Sequence, residues 1–239
     1  MDRFEEIPDP VLVLCAHPDD IEVHAGGTVA WLVRAGRRVT CVLATSGNRG
    51  TGDPTKAMEE MAAIREAEQQ GASGVLGIED LEFLRHDDGD LMYDPKTLRE
   101  EFVRLIRAKR PRAIITHDPF PGDGSRDSCA IYPDHVTVGY TAFQAAFVCA
   151  PGPLFHPEHL ASGLEPWKPD VIYCMMSSQT DFFVDIAPVW AEKWKALQHH
   201  QSQGRHLPGV EEFFLRIARE LGQKSGLELA EGFRVLRPT

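Results

Sequence analysis

The 239-residue sequence has few cysteines, no excess of basic residues and no long apolar run, and each absence argues against a class of protein. Its five cysteines form no Cys-x-x-Cys pair, so we expect neither a thiolate metal site nor a disulfide framework. Lys and Arg number 25 against 36 Asp and Glu, and the resulting net charge of −11 repels nucleic-acid phosphates and anionic membranes. No segment has the pattern of a signal peptide or a membrane span. We therefore expect a cytoplasmic protein that binds a small molecule, with no nucleic-acid or membrane partner.

The composition is that of a globular protein, with 43% hydrophobic residues, and short apolar segments alternate with helical patterns. Strands are predicted at residues 11–16, 38–44, 81–84, 113–116, 170–175 and 182–186. Helices are predicted at residues 27–35, 56–70, 95–108, 134–149, 188–200 and 210–221, with Gly71 ending the second of them. This alternation predicts the α/β class, a Rossmann-like three-layer α/β/α arrangement around a mostly parallel sheet. A single domain over residues 1–239 is the simplest interpretation.

The segment AHPDDIE, residues 16–22, directly follows the first predicted strand. Ligands of an open parallel sheet bind beyond the carboxyl ends of its strands, so this is a candidate site. His17 and Asp20 can converge on one ion across the turn, whereas Asp19 points elsewhere. The alternative interpretation is structural: the aspartates form an Asx-turn and cap the following helix.

A second segment, YPDH at residues 132–135, opens the helix after the fourth predicted strand. This position lies at the same edge of the sheet, so His135 can meet the first segment in space. Two histidines and one carboxylate with an open fourth position are typical of catalytic zinc sites, although iron, cobalt or manganese also accept these ligands. The alternative is that Asp134 caps the helix and His135 lies on the surface.

Together, AHPDD followed by GGT and a distant PDH resemble the LmbE/PIG-L family of zinc-dependent N-acetylglucosaminyl deacetylases. Supporting matches extend over nearly the whole chain. They are Arg65-x-x-Glu68, Asp88-Gly89, Thr116-His-Asp-Pro119, the helical segment from Lys193 to Gln203, and Glu231-x-Phe233-Arg234.

The resemblance implies a zinc site with three protein ligands, His17, Asp20 and His135. It implies that Asp19 is the general base, which takes a proton from the attacking water and can return it to the departing amine. It also implies that Arg65 and Asp88 bind the substrate, although Arg65 could instead be a solvated helix charge or pair with a nearby Glu. The implied substrate is a small N-acetylated amino sugar. Because many relatives form trimers or hexamers, a homo-oligomer is expected.

One position departs from the family pattern, which commonly reads HPDH. Tyr132 stands where the family has the first histidine, which is credited with polarising the substrate carbonyl. A tyrosine hydroxyl donates the same kind of hydrogen bond but stays neutral. Tyr132 is therefore a candidate catalytic residue, with His117 as an alternative donor and reduced or altered activity as a third outcome.

Three other functions remain open. One is an amidase for another amide-bearing small molecule, such as a thiol conjugate, and the loops at 119–129 and 151–169 are expected to select the substrate. Another is a nucleotide-binding module, because Gly26 and Gly27 follow a strand, but the GxGxxG pattern is missing and two aspartates occupy the turn. The last is a metal- or sugar-binding protein without turnover, for which Tyr132 is the only argument.

Overall fold

Seven strands form one sheet in the protein, whose computed structural model describes residues 3–120 and 131–238. They are β1 (Val11–Cys15), β2 (Val39–Thr45), β3 (Asp80–His86), β4 (Ala113–His117), β5 (Val171–Met175), β6 (Phe182–Asp185) and β7 (Ala230–Leu236). Their order across the sheet is β3-β2-β1-β4-β5-β7-β6. Strands β1 to β5 are parallel, whereas β7 is antiparallel to both β5 and β6. The predicted α/β class with a mostly parallel sheet is confirmed.

Eight α-helices connect or flank these strands in the described residues. They are α1 (Asp20–His24), α2 (Gly26–Arg34), α3 (Met58–Leu76), α4 (Pro95–Lys109), α5 (Pro133–Gln144), α6 (Pro157–Ala161), α7 (Trp190–Leu197) and α8 (Val210–Ser225). A π-helical turn, Ala145–Cys149, continues α5. None of the described helices is long and apolar enough to cross a membrane.

The central strands are buried on both faces, which explains why they appear in the sequence as continuous apolar runs. Alternate residues of β1 enter two separate cores. On one side Val13 shares a core with Val29 of α2, and on the other Leu14 shares a core with Phe102 of α4. Helices therefore cover both faces of the sheet, as the predicted three-layer arrangement requires.

The register of the parallel strands brings their carboxyl ends to one edge of the sheet. Cys15 at the end of β1 pairs with Leu43 of β2, and Leu14 pairs with Thr116 of β4. The chain connects outward in opposite directions from β1 and β4, and a crevice at such a point is where open α/β sheets bind ligands. The segments after β1 and β4 are those that carry the predicted site.

Helix α3 continues past Gly71, where the sequence analysis wrongly ends it. A Cβ atom at Gly71 would lie 2.4 Å from the His199 ring, so this glycine allows the segment after α7 to pack closely on α3. The helix ends instead before Gly77, whose φ of 74° is the left-handed conformation that glycine adopts at little cost.

Three elements were not predicted: α1, α6 and β7. The sequence predicts no helix between β1 and residue 27, but α1 begins already at Asp20. Strand β7 mixes charged, small and apolar residues, and its place follows from antiparallel pairing with β5 and β6. Of the predicted specificity loop at 119–129, residues 121–129 lie outside the described part of the chain.

Candidate active site

The turn after β1 carries three polar side chains at the carboxyl edge of the sheet. Asp19 has a φ of 92°, a left-handed conformation that Asp adopts more readily than most residues, and it makes no side-chain cap to α1. The Asp20 carboxylate accepts hydrogen bonds from the backbone N–H groups of Ala16 and His17, at 3.1 and 2.8 Å. Asp20 thus stabilises the turn, as the structural alternative expects, whereas Asp19 does not cap the helix.

The three predicted metal ligands are buried and face one another. His17 Nδ1 lies 3.1 Å from His135 Nε2 and 3.6 Å from Asp20 Oδ2, and His135 Nε2 lies 3.4 Å from Asp20 Oδ1. Tetrahedral ligands at about 2.0–2.1 Å from a zinc ion are about 3.3 Å apart, so these separations suit a single ion. The alternative that His135 is a surface residue is wrong, because only 7% of it is exposed.

Two carboxylates hold the opposite edge of the His17 ring. His17 Nε2 lies 3.2 Å from Asp134 Oδ2 and 3.3 Å from Asp88 Oδ1, an arrangement that assigns the ring proton to Nε2 and the Nδ1 lone pair to the ligand cluster. Burial alone disfavours a charged ring, but contacts with Asp134, Asp20 and Asp88 outweigh it and raise the pKa of His17 well above its ordinary value.

Asp88 and Asp134 also form, with His17, a second group whose oxygen and nitrogen atoms could hold an ion. Asp134 Oδ2, however, already accepts a hydrogen bond from the N–H of Gly89 at 2.6 Å. We therefore interpret the two carboxylates as partners that orient the imidazole. Asp88 is 6% exposed, and its predicted contact with substrate stays a prediction.

Two arginines that are far apart in the sequence bind the Asp19 carboxylate. Arg205 donates to Oδ2 from Nε at 3.1 Å and from Nη2 at 2.7 Å, and Arg65 Nη2 lies 3.3 Å from Oδ1. The backbone N–H of Asp19 donates to the side chain of Gln69 at 3.0 Å. Sequence reasoning missed Arg205 and Gln69, because nothing in their local patterns marks them as neighbours of the turn.

Arg65 is buried, with 4% of it exposed, so the alternative of a solvated helix charge is wrong. Besides Asp19, its guanidinium donates to the backbone carbonyls of Pro18 and Gly47. Arg65 thus holds the turn after β1 against the loop after β2. That Arg65 also contacts substrate stays a prediction.

Tyr132 and His117, the two candidates for polarising a carbonyl, lie in different surroundings. Tyr132 is 43% exposed, and its ring centroid is 5.6 Å from that of His17 and 5.5 Å from that of His135. His117 is buried and stacked on His135 at 4.2 Å, with Nε2 3.2 Å from Asp20 Oδ2. Burial and the neighbouring His135, partly offset by Asp20, lower the pKa of His117 to about 4. Tyr132 is therefore the candidate that an incoming substrate can reach.

The GGT segment binds a carboxylate of the protein itself. The Glu231 side chain accepts hydrogen bonds from the N–H groups of Gly27 and Thr28, at 2.8 and 2.7 Å, in the first turn of α2. A Cβ atom at Gly27 would lie 2.5 Å from Ile186 Cγ2, so close packing explains this glycine. Glu231 occupies the place that the phosphate of a nucleotide would need, which argues against the nucleotide-binding alternative.

A second histidine cluster lies around the start of α6. His156, Glu158 and His159 also have atoms close enough to hold an ion. Each ring, however, is already beside a carboxylate: His159 Nε2 lies 2.7 Å from Glu100 Oε1, and His156 Nδ1 lies 3.2 Å from Glu158 Oε1. Glu100 and Glu158 thus occupy His159 Nε2 and His156 Nδ1, and we propose no ion site here.

The chain is similar in sequence and in fold to several known deacetylases. Residues 12–146 match the family described as PIG-L: GlcNAc-PI de-N-acetylase. The chain is 32% identical over 235 residues to the diacetylchitobiose deacetylase of Thermococcus kodakarensis, an alignment covering 96% of this chain and 85% of the relative. It is 30% identical over 187 residues to the 1D-myo-inositol 2-acetamido-2-deoxy-alpha-D-glucopyranoside deacetylase of Streptomyces scabiei, covering 68% of this chain and 54% of the relative.

A solved structure shares almost the whole fold. The N,N'-diacetylchitobiose deacetylase of Pyrococcus horikoshii superposes with a TM-score of 0.87 at 29% sequence identity. The match covers 98% of this chain and 85% of that one.

Proposed function

The chain belongs to the PIG-L family of GlcNAc-PI de-N-acetylases, and from this premise we propose that it hydrolyses the N-acetyl amide of a small glucosamine-containing molecule. The observation that carries the proposal is the convergence of His17, Asp20 and His135 at ligand separations beside the carboxylate-bearing turn of Asp19. The family is metal-dependent, and these three side chains suit a divalent ion.

Zinc is the ion we propose, because two imidazoles and one carboxylate with an open position are the ligands of catalytic zinc sites. When bound, zinc lowers the pKa of a coordinated water to about 7 and polarises an amide carbonyl. By holding His17 Nε2, Asp134 and Asp88 would leave the Nδ1 lone pair free to bind such an ion.

Asp19 acts as the general base in this proposal. It accepts a proton from the attacking water and returns it to the nitrogen of the departing amine, which would otherwise be a poor leaving group. Its carboxylate is 9% exposed and is held by two arginines, so its orientation is fixed before substrate arrives. Tyr132 donates a hydrogen bond to the carbonyl oxygen as negative charge develops there.

The substrate class follows from the family and the relatives. The names of both deacetylase relatives denote N-acetylated glucosamine units, one in a disaccharide and one attached to myo-inositol. Arg65 and Asp88 are the proposed contacts to sugar hydroxyls. We also propose that the chain forms a homo-oligomer, which light scattering of the purified protein tests.

The test is release of free amine from a panel of three compounds: N-acetylglucosamine, diacetylchitobiose and the acetamido-glucopyranoside of myo-inositol. We expect turnover of at least one, loss of turnover with a chelator, and recovery when zinc is added back. An Asp19→Asn protein should keep its metal and lose turnover by about 100-fold or more. The matched control is Asp170→Asn, which changes a 48%-exposed carboxylate paired with Arg112 and should leave the rate unchanged.

Two outcomes would refute the proposal. One is an Asp19→Asn protein with full metal content and the full hydrolytic rate. The other is a wild-type protein that carries one metal ion per chain but releases amine from none of the three compounds. The second outcome would favour the alternative function, an amidase for another amide-bearing small molecule. Thiol conjugates with an amide bond are then the next compounds to assay.

A further inference from the structure

The Arg205 guanidinium makes a two-point contact with a single oxygen of Asp19. Its Nε and Nη2 donate to Oδ2 at 3.1 and 2.7 Å, whereas Oδ1 has one longer contact, 3.3 Å, to Arg65. A carboxylate oxygen offers two lone-pair directions, so the Arg205 contact saturates Oδ2. Oδ1 is therefore the Asp19 oxygen with fewer hydrogen bonds among the described residues.

The segment that carries Arg205 is fastened to the rest of the protein at two places. His200 Nε2 lies 3.1 Å from Glu22 Oε2, and neither side chain is exposed. Ser202 donates to the Glu68 carboxylate from its N–H and its hydroxyl, both at 2.7 Å. Arg205 therefore projects from a fixed segment rather than from a free loop.

A third observation concerns the backbone behind Asp19. Its N–H donates to Gln69 Oε1, and Gln69 Nε2 donates to Glu22 Oε1 at 2.8 Å. Glu22 is the residue that also pairs with His200. The same buried contacts thus hold the Asp19 backbone and the segment of Arg205. They fix the position of the Arg205 guanidinium relative to the Asp19 carboxylate.

We propose that Arg205 is a positioning residue for catalysis: it binds Oδ2 of Asp19 and leaves Oδ1 as the oxygen that accepts the proton. This inference rests on the proposed function, because it assigns a task to the general base. The Arg205 guanidinium hydrogen-bonds to Asp19 and lies 5.4 Å from the centroid of the Phe214 ring, so its effect on the reaction is transmitted through Asp19.

The fork geometry of Arg205 matters as well as its charge. A guanidinium presents two N–H groups in a fixed plane, which restricts rotation of the carboxylate, whereas a lysine ammonium is a point charge on a flexible stem. A misplacement of about 1 Å in a reacting group can cost about 100-fold in rate. Loss of the fork should therefore reduce turnover more than it affects substrate binding.

The experiment compares Arg205→Lys, Arg205→Ala and the control Arg219→Ala with the wild-type protein loaded with zinc. Arg219 is a half-exposed arginine of α8 that donates to Glu212 at 2.8 Å. We expect kcat to fall about 10- to 100-fold in Arg205→Ala and about 10-fold in Arg205→Lys, with KM changed less than about threefold. Added guanidinium ion should partly restore kcat in Arg205→Ala but not in Arg205→Lys, whose ammonium still occupies part of the site.

Metal content and thermal unfolding of each variant separate positioning from a structural effect. The inference predicts one bound metal ion and a cooperative transition in all variants. It is overturned if Arg205→Ala keeps the wild-type kcat, if only KM rises, or if metal is lost in proportion to activity. Asp19→Asn distinguishes the two proposals: if it abolishes turnover while Arg205→Ala does not, the deacetylase function stands and the role of Arg205 fails.

Discussion

Replacing Asp134 with asparagine neutralises the carboxylate behind His17 while preserving the size of the side chain. Asp134 is fully buried, and its Oδ2 lies 3.2 Å from His17 Nε2 and 2.6 Å from the N–H of Gly89. Both neighbours are donors, so the amide carbonyl of an asparagine would take the Oδ2 position. Its NH₂ group would then occupy the place of Oδ1, which has no hydrogen-bond partner among the described residues.

The magnitude follows from these contacts. Hydrogen bonds to a charged group are about twice as strong as neutral ones, so the bonds from His17 and Gly89 weaken when the carboxylate becomes an amide. In addition, an unsatisfied buried NH₂ costs about 1–3 kcal/mol. We expect the free energy of unfolding of the metal-free protein to fall by about 1–3 kcal/mol. A less basic His17 should weaken metal binding about 10- to 100-fold, the range found for partners behind metal ligands, which is about 1.4–2.7 kcal/mol.

Metal affinity is measured by competition with a chromophoric chelator, and stability by urea unfolding of the metal-free protein. The matched control is Asp185→Asn, since Asp185 also accepts a backbone N–H, that of Ala187 at 2.9 Å, but contacts no imidazole in the described residues. An Asp134→Asn protein whose metal dissociation constant lies within twofold of wild type would refute the idea that this carboxylate orients and strengthens His17.

Three further predictions concern other contacts. Tyr132→Phe should lower turnover about tenfold or more with metal content intact, and an unchanged rate measured on the zinc-loaded protein would exclude a role for the hydroxyl. Gly27→Ala should reduce the free energy of unfolding by about 1–3 kcal/mol in urea titrations, because its Cβ would lie 2.5 Å from Ile186 Cγ2, and Ile186→Ala should make the same change less damaging. His86 Nε2 lies 2.6 Å from Glu101 Oε2, and this hydrogen bond outweighs partial burial and raises the pKa of His86. The contact therefore stabilises the protein fully below the unfolded-state pKa of about 6.5, and this stabilisation is lost as pH rises through the higher folded-state pKa. Glu101→Gln should therefore lower stability more at pH 5.5 than at pH 9, and an equal loss at both values would contradict this.

The strands and most helices could be predicted because burial leaves a local pattern. Strands β1, β2, β4 and β5 are buried on both faces, and each is a short apolar run in the sequence. Strand β7 was missed because it has no such run, and helix α3 was ended too early because Gly71 is a packing position rather than a stop. In both cases a neighbour distant in sequence decides the structure.

The candidate site shows the same division. The residue types at 17–20 and 132–135, and their place after strands of a parallel sheet, were sufficient to propose a metal site with Asp19 beside it. The residues that hold these side chains in place could not be predicted from the sequence. The function of GGT as a docking place for Glu231, 204 residues away, appears only when the chain is folded.

The sequence by itself determined the layers of the fold and the chemical types of the candidate ligands, since hydrophobic period and motif spacing are properties of neighbouring residues. Only the tertiary structure decided which side chains hold those groups in place. Arg205 reaches Asp19 across 186 positions, and Asp134 and Asp88 meet the same ring of His17 from different segments. Such contacts depend on how helices and strands pack, and packing joins residues whose local sequence carries no trace of one another.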